Sequence, residues 1–172
     1  MDVTDLILDD HRDQRRLFSM IEQVPRDDVA ALGALWGRLR ALLDTHAEAE
    51  ERYFYPRLLA VGTGAGDADS AADETEDAIK DHNELRDAAM EVSKYAVGSD
   101  EWFAAVDKAN EVNSDHMAEE ERQGLPDFRR HASLEERHAL AVRFATFEAQ
   151  NLAGVEPVDK DPAKYVKEQK EE

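Results

Sequence analysis

Two stretches, HAEAEERYFYP at 46–56 and HMAEEERQGLP at 116–126, decide how this chain folds. Counted from the histidine, each places glutamate at +4 (Glu50, Glu120) and +5 (Glu51, Glu121), arginine at +6 (Arg52, Arg122) and proline at +10 (Pro56, Pro126). A four-residue interval is one helical turn, so each histidine and its first glutamate project from one helix face. Working outward, Asp10-His11 is followed four residues on by Arg15, and Asp81-His82 by Arg86. The second half of the chain therefore repeats the first at an offset of 70 or 71 residues.

The successive intervals between His11, His46, His82 and His116 are 35, 36 and 34 residues. In an antiparallel helix pair, two residues at one height are equidistant from the turn. The midpoints fall near Asp28, at Gly64 and at Ser99, and each lies in a turn signal: Pro25-Arg26-Asp27-Asp28, the Gly62/Gly64/Gly66 run, and Gly98-Ser99-Asp100. Four histidines from four helices are thus expected at one level.

Apolar residues recur at three- and four-residue spacing, as in Leu32, Leu35, Trp36, Leu39, Leu42 and Leu43, or Trp102, Phe103, Val106 and Ala109. The fold class expected is all-α: an up-down-up-down antiparallel four-helix bundle over 1–130, an appended helix over 131–153 containing Leu140, Phe144 and Phe147, and a polar, flexible tail over 154–172. Gly124 and Pro126 should bend or end the fourth helix.

Composition narrows the chemistry. The 172 residues include no cysteine, which excludes disulfides, thiolate metal sites and a cysteine nucleophile. A net charge of -19 argues against nucleic acid or an anionic membrane as partner. No stretch approaches the ~20 apolar residues of a membrane helix, and the acidic N-terminus is unlike a signal peptide. A cytoplasmic protein is expected.

Four imidazoles and two carboxylates at one height inside a bundle are costly to bury without a partner, and a metal is the natural one. The expected ligands are His11, His46, Glu50, His82, His116 and Glu120. They exceed the needs of one tetrahedral zinc. Mixed nitrogen and oxygen donors suit iron, manganese or zinc, and carboxylate-bridged pairs in bundles favour iron or manganese. Under the internal symmetry, one ion takes His11 and His46 and the other His82 and His116, with Glu50 and Glu120 between. Open positions then remain for water, O2, H2O2 or NO.

A lone His, H-x-x-x-E, another His and a second H-x-x-x-E, with E-R-x-x-x-P trailing each glutamate motif, resembles the hemerythrin-like HHE cation-binding family over roughly Asp2 to Pro126. The resemblance implies a four-helix bundle holding two non-haem iron ions, oxo- or hydroxo-bridged, on those six residues. Oxygen-carrying hemerythrins have a second histidine one turn after the third-helix ligand, where this chain has Arg86. Their last ligand is an aspartate five residues after the fourth-helix histidine, whereas Glu120 lies four after His116. The set is closer to bacterial HHE proteins linked to iron handling and to peroxide or nitric oxide responses. The function expected is peroxide or oxygen chemistry, including catalase-like turnover. The alternatives are a non-catalytic iron-binding or O2/NO-sensing module, whose protein partner is unknown, and a zinc-binding structural bundle.

Neighbouring residues receive plainer readings. Asp10 and Asp81 are expected at the surface, with orientation of an imidazole as the alternative. Glu51 and Glu121, rotated by about 100° from Glu50 and Glu120, should point elsewhere. Arg15 and Arg86 are expected to snorkel, or to hold Glu50, Glu120 or their like. Phe54, Tyr53 and Tyr55 are expected to pack, with Tyr53 a candidate for lining the metal pocket. His131 and His138 are expected on the surface.

Overall fold

Asp2, Asp28, Ser70, Ser99 and Ser133 each accept the backbone amide two or three residues ahead, capping five helices. The computed structural model describes residues 1–66 and 68–171. These caps open α1 (Val3–Gln23), α2 (Val29–Ala49), α4 (Ala71–Val92), α5 (Asp100–Arg122) and α7 (Leu134–Gln150). Between them lie a π-helical turn (Glu50–Phe54), α3 (Tyr55–Val61) and α6 (Gly124–His131), and α8 (Pro162–Glu171) comes after α7. Among the described residues there is no strand, and no helix is long and apolar enough to cross a membrane.

Four rods form the bundle: α1, then α2 with the π turn and α3, then α4, then α5 with α6. The repeated proline shapes the second and fourth rods alike. Pro56 has no N–H to donate and its ring crowds the carbonyl one turn back; the widened π turn lies just before it. In the second half the helix breaks instead, at Gln123 (φ -115°, ψ -82°), before Pro126 continues in α6. The turn at Gly98 requires glycine: its φ is +85°, and a Cβ there would meet the Arg26 carbonyl at 2.7 Å.

Two apolar clusters fill the bundle. One gathers Leu17, Phe18, Ile21, Leu32, Leu39, Trp102 and Val106; the other gathers Ile7, Phe54, Leu58, Ile79, Phe128 and Phe144. The expected ligands fall between them along the helices: His11 between Ile7 and Leu17, His46 between Leu43 and Ala49, and His82 between Ile79 and Leu85.

The appended helix is α7, which packs on α1 and α2 and sets Phe144 edge-on to His46 at 5.9 Å. The segment after it departs from expectation. A loose tail is expected over 154–172, yet 162–171 are helical and dock on α3 and α4. Tyr165 and Val166 are buried there, Pro162 supplies a preset first turn, and Asp161 caps the helix by accepting the Lys164 amide at 2.8 Å. Residue 172 lies outside the described residues.

Candidate metal centre

His11 comes from α1, His46 from α2, Glu50 from the start of the π turn, His82 from α4, and His116 and Glu120 from α5. All six are buried, with exposures of 0–5%. They converge as the sequence requires. His46 Nε2 lies 3.0 Å from Glu50 Oε1, and His82 Nε2 lies 3.3 Å from Glu50 Oε2, so one carboxylate spans the two histidine pairs. Ligand atoms of His11, His46 and Glu50 come within 4.8 Å of one another, as do those of Glu50, His82 and His116. In space His11 thus groups with His46, and His82 with His116.

Glu120 differs from its counterpart. Its Oε2 is 3.3 Å from His11 Nε2, but Oε1 accepts the Tyr55 hydroxyl at 2.9 Å. Its two oxygens thus meet a histidine and a tyrosine, where those of Glu50 meet two histidines. Tyr55 is thus a hydrogen-bond donor inside the site and not packing alone. Its phenol is held well above the usual tyrosine range by burial and by the charges of Glu120 and Glu50, which keeps the proton on the donor.

Each imidazole turns its other nitrogen outward to a carboxylate, and the four carboxylates are supplied crosswise. Asp10 Oδ2 is 3.1 Å from His46 Nδ1, and Asp81 Oδ2 is 3.6 Å from His116 Nδ1. Glu121 Oε1 is 2.9 Å from His11 Nδ1, and Glu51 Oε1 is 2.8 Å from His82 Nδ1. Each of these acids is a chain neighbour of a ligand but faces a different one. Asp10 and Asp81 are therefore imidazole-facing, contrary to the surface reading. Helical rotation carries them off the face of His11 and His82 and onto the neighbouring helix. Arg15 and Arg86 hold the outer pair: Arg15 Nη2 lies 2.9 Å from Glu121 Oε1, and Arg86 Nη2 lies 2.7 Å from Glu51 Oε1.

Where Nδ1–H is donated outward, as the carboxylates at His11, His46 and His82 favour, Nε2 presents a lone pair to the interior. His11 Nε2, His46 Nε2, both Glu50 oxygens and Glu120 Oε2 are buried without a hydrogen bond among the described residues. His82 Nε2 and His116 Nε2 face each other at 3.1 Å, where a proton on one nitrogen or a cation between them must separate the two lone pairs. This donor set fits the binding of metal cations. Without metal, protons take the cation's role. Burial opposes charge on His46, but Glu50 and Asp10 outweigh it and raise its pKa well above the usual value. Burial likewise opposes charge on His82, yet Glu50 and Glu51 bring it up to about 9. Glu50 is held well below the usual carboxylate range, burial being overcome by His46 and His82. Glu51 falls to about 2 despite burial, through His82, Arg86 and Lys160.

A small cavity lies beside the centre, against α4 and α5. Of about 20 Å³, it has His116, Glu120 and Tyr55 among its lining, with Glu74, Asp77 and Glu119 on its walls. Burial, with the charge of Asp127, lifts Glu74 to about 7. Tyr53 is not in this lining; it packs on Phe147. His131 and His138 are at the surface, contacting Asp127 and the Met1 carbonyl. Glu51 and Glu121 carry a signal in the sequence, since both recur in the repeated motif. Lys160, which pairs with Glu51, carries none, because it lies outside the repeat.

Comparison with known proteins agrees with this geometry. The family described as Hemerythrin HHE cation binding domain matches residues 2–128. A protein described as a DNA nickase from Nostoc sp. (strain PCC 7120 / SAG 25.82 / UTEX 2576) is 26% identical over 144 residues, covering 84% of this chain and 38% of the relative. The chain thus spans well under half of that relative's length. No solved structure matches. The match over most of the chain, with both motif histidine–glutamate pairs inside it, places the protein in the hemerythrin HHE cation-binding domain family.

Proposed function

We propose that this chain holds two non-haem iron ions and reacts with hydrogen peroxide or oxygen. The observation that carries the reading is the set of buried nitrogen and oxygen atoms around Glu50, turned toward one another and arranged as two histidine pairs about one carboxylate. His11 and His46 would hold one ion and His82 and His116 the other, with Glu50 and Glu120 between them. Iron bound there supplies reversible electron transfer to a small oxidant, with open positions for it.

The chain's own residues do the rest. The outer carboxylates fix which imidazole nitrogen faces inward and raise its donor strength. The cavity of about 20 Å³ admits an occupant of the size of water, peroxide or a diatomic gas. Glu74 on its wall, at about 7, carries an exchangeable proton near neutral pH, and Tyr55 holds another at Glu120 Oε1. Turnover of peroxide needs protons delivered close to the reacting oxygen, which a pure store or carrier does not. The charge of -19 opposes contact with a nucleic-acid backbone, so nuclease activity is not carried over from the relative.

The test is peroxide consumption by iron-loaded protein. Steady loss of peroxide, absent in His116→Ala, supports the reading. Binding of azide, O2 or NO with no turnover replaces it with a sensing or carrying role.

A further inference from the structure

The two metal positions have different surroundings, and the difference comes from the segment after α7. His11 and His82 are counterparts in the internal repeat, and each donates Nδ1–H to a glutamate that also pairs with an arginine. There the likeness ends. Glu121 has one arginine or lysine partner among the described residues, Arg15, whose side chain is 43% exposed, and Glu121 itself is half-buried. Glu51 is buried and has two: Arg86, with a side chain only 4% exposed, and Lys160, which pairs with its second oxygen.

Lys160 is not placed there by chance packing. Its backbone amide donates to Asn83 Oδ1 at 3.1 Å, and Asn83 Nδ2 donates back to its carbonyl at 2.7 Å. Tyr165 donates its hydroxyl to the Glu51 carbonyl, and Lys160 Nζ also reaches Glu48 at 2.8 Å. Residues 160–165 therefore grip α4 next to His82 and the π turn at Glu51, one residue from each of two ligands.

We infer that Lys160 is a positioning residue that makes the two metal positions unequal, so that the pair loads in order, first at His11–His46 and then at His82–His116. This rests on the metal-pair reading above. Two effects act in the same direction. A carboxylate raises the donor strength of the imidazole it accepts from, and one whose charge is drawn off by two sheltered cations raises it less. The ammonium and guanidinium beside His82 also repel an incoming divalent ion, the buried Arg86 with little solvent screening.

The experiment is a spectroscopic titration of the full chain with Co(II), whose d–d bands report each binding step separately. Wild type should show two steps of unequal affinity. Lys160→Gln, which keeps a polar side chain without the charge, should tighten the second step by about tenfold and leave the first unchanged. Lys160→Arg, which restores the charge, should restore the gap. His11→Ala should remove the tighter step and His82→Ala the weaker one. Two equal steps in wild type, or equal tightening by Lys160→Gln and Lys160→Arg, would overturn the inference while leaving the metal pair intact. Wild type that takes up no Co(II) would instead overturn the underlying reading of the site.

Discussion

His82 and His116 face each other through their Nε2 atoms at 3.1 Å, each with its Nδ1 directed at a carboxylate, Glu51 and Asp81. Two imidazoles so oriented need a proton or a metal ion between their Nε2 atoms, and in the metal-free chain a proton takes that place. Proton and metal therefore compete for one location.

The first prediction concerns pH. His82 binds a proton more tightly in the folded metal-free chain than in the unfolded one, its value moving from 6.5 to about 9. The resulting stability is complete below about pH 6.5 and is lost as pH rises through about 9, a change of roughly 3 kcal/mol from this group. His46, also raised, acts in the same direction. Metal affinity should run the opposite way and climb over the same window as the protons leave. Denaturant titrations of metal-free protein at pH 6 and 9, beside metal titrations at both, check this; flat profiles would contradict it.

The outer carboxylates give a second prediction. Replacing Glu121 or Asp10 by the corresponding amide keeps a hydrogen-bonding group but removes the charge facing His11 or His46. Each substitution should weaken metal binding about 10- to 100-fold with little change in helix content. Competition titrations against a chelator of known affinity, with circular dichroism alongside, provide the readout.

Tyr55→Phe is the third. It removes the donor to Glu120 Oε1 and leaves that oxygen buried without a partner. The expected cost is about 1–3 kcal/mol in the metal-free protein. An unchanged denaturation midpoint would show that Glu120 finds another partner.

Leu39→Ala makes the fourth prediction, because Leu39 is fully buried in the apolar cluster at the far end from Tyr55. The cavity should cost about 2–5 kcal/mol of stability. Metal stoichiometry should be unchanged, since the ligand layer lies between the two clusters and does not depend on either one alone.

Much of the site is legible in the sequence. Equal spacing of His11, His46, His82 and His116 about three turn signals is a statement about heights in an antiparallel bundle, and it needs no knowledge of packing. The i,i+4 pairs His46/Glu50 and His116/Glu120 put donors on one face by helical geometry alone. The parts that escape such reading are cross-helix. Asp10 and Asp81 lie off the face of their own histidines, so one-helix reasoning sends them to solvent; the neighbouring helix intercepts them. Tyr55 reaches Glu120 because the π turn at Glu50–Phe54 rotates the residues after it, and a run of polar and aromatic residues does not announce a π turn. The segment after α7 has too few apolar residues to reveal docking by periodicity. Its burial rests on Tyr165 and Val166 and on one lysine, whose partner lies 109 residues away.

Whether two metal ions sit on the six named ligands is decided most directly by metal analysis of the purified protein after iron loading. Wild type should carry two irons per chain, falling to one or fewer in Glu50→Ala. No bound metal in wild type, or two irons retained when Glu50 is removed, would contradict a carboxylate-bridged pair.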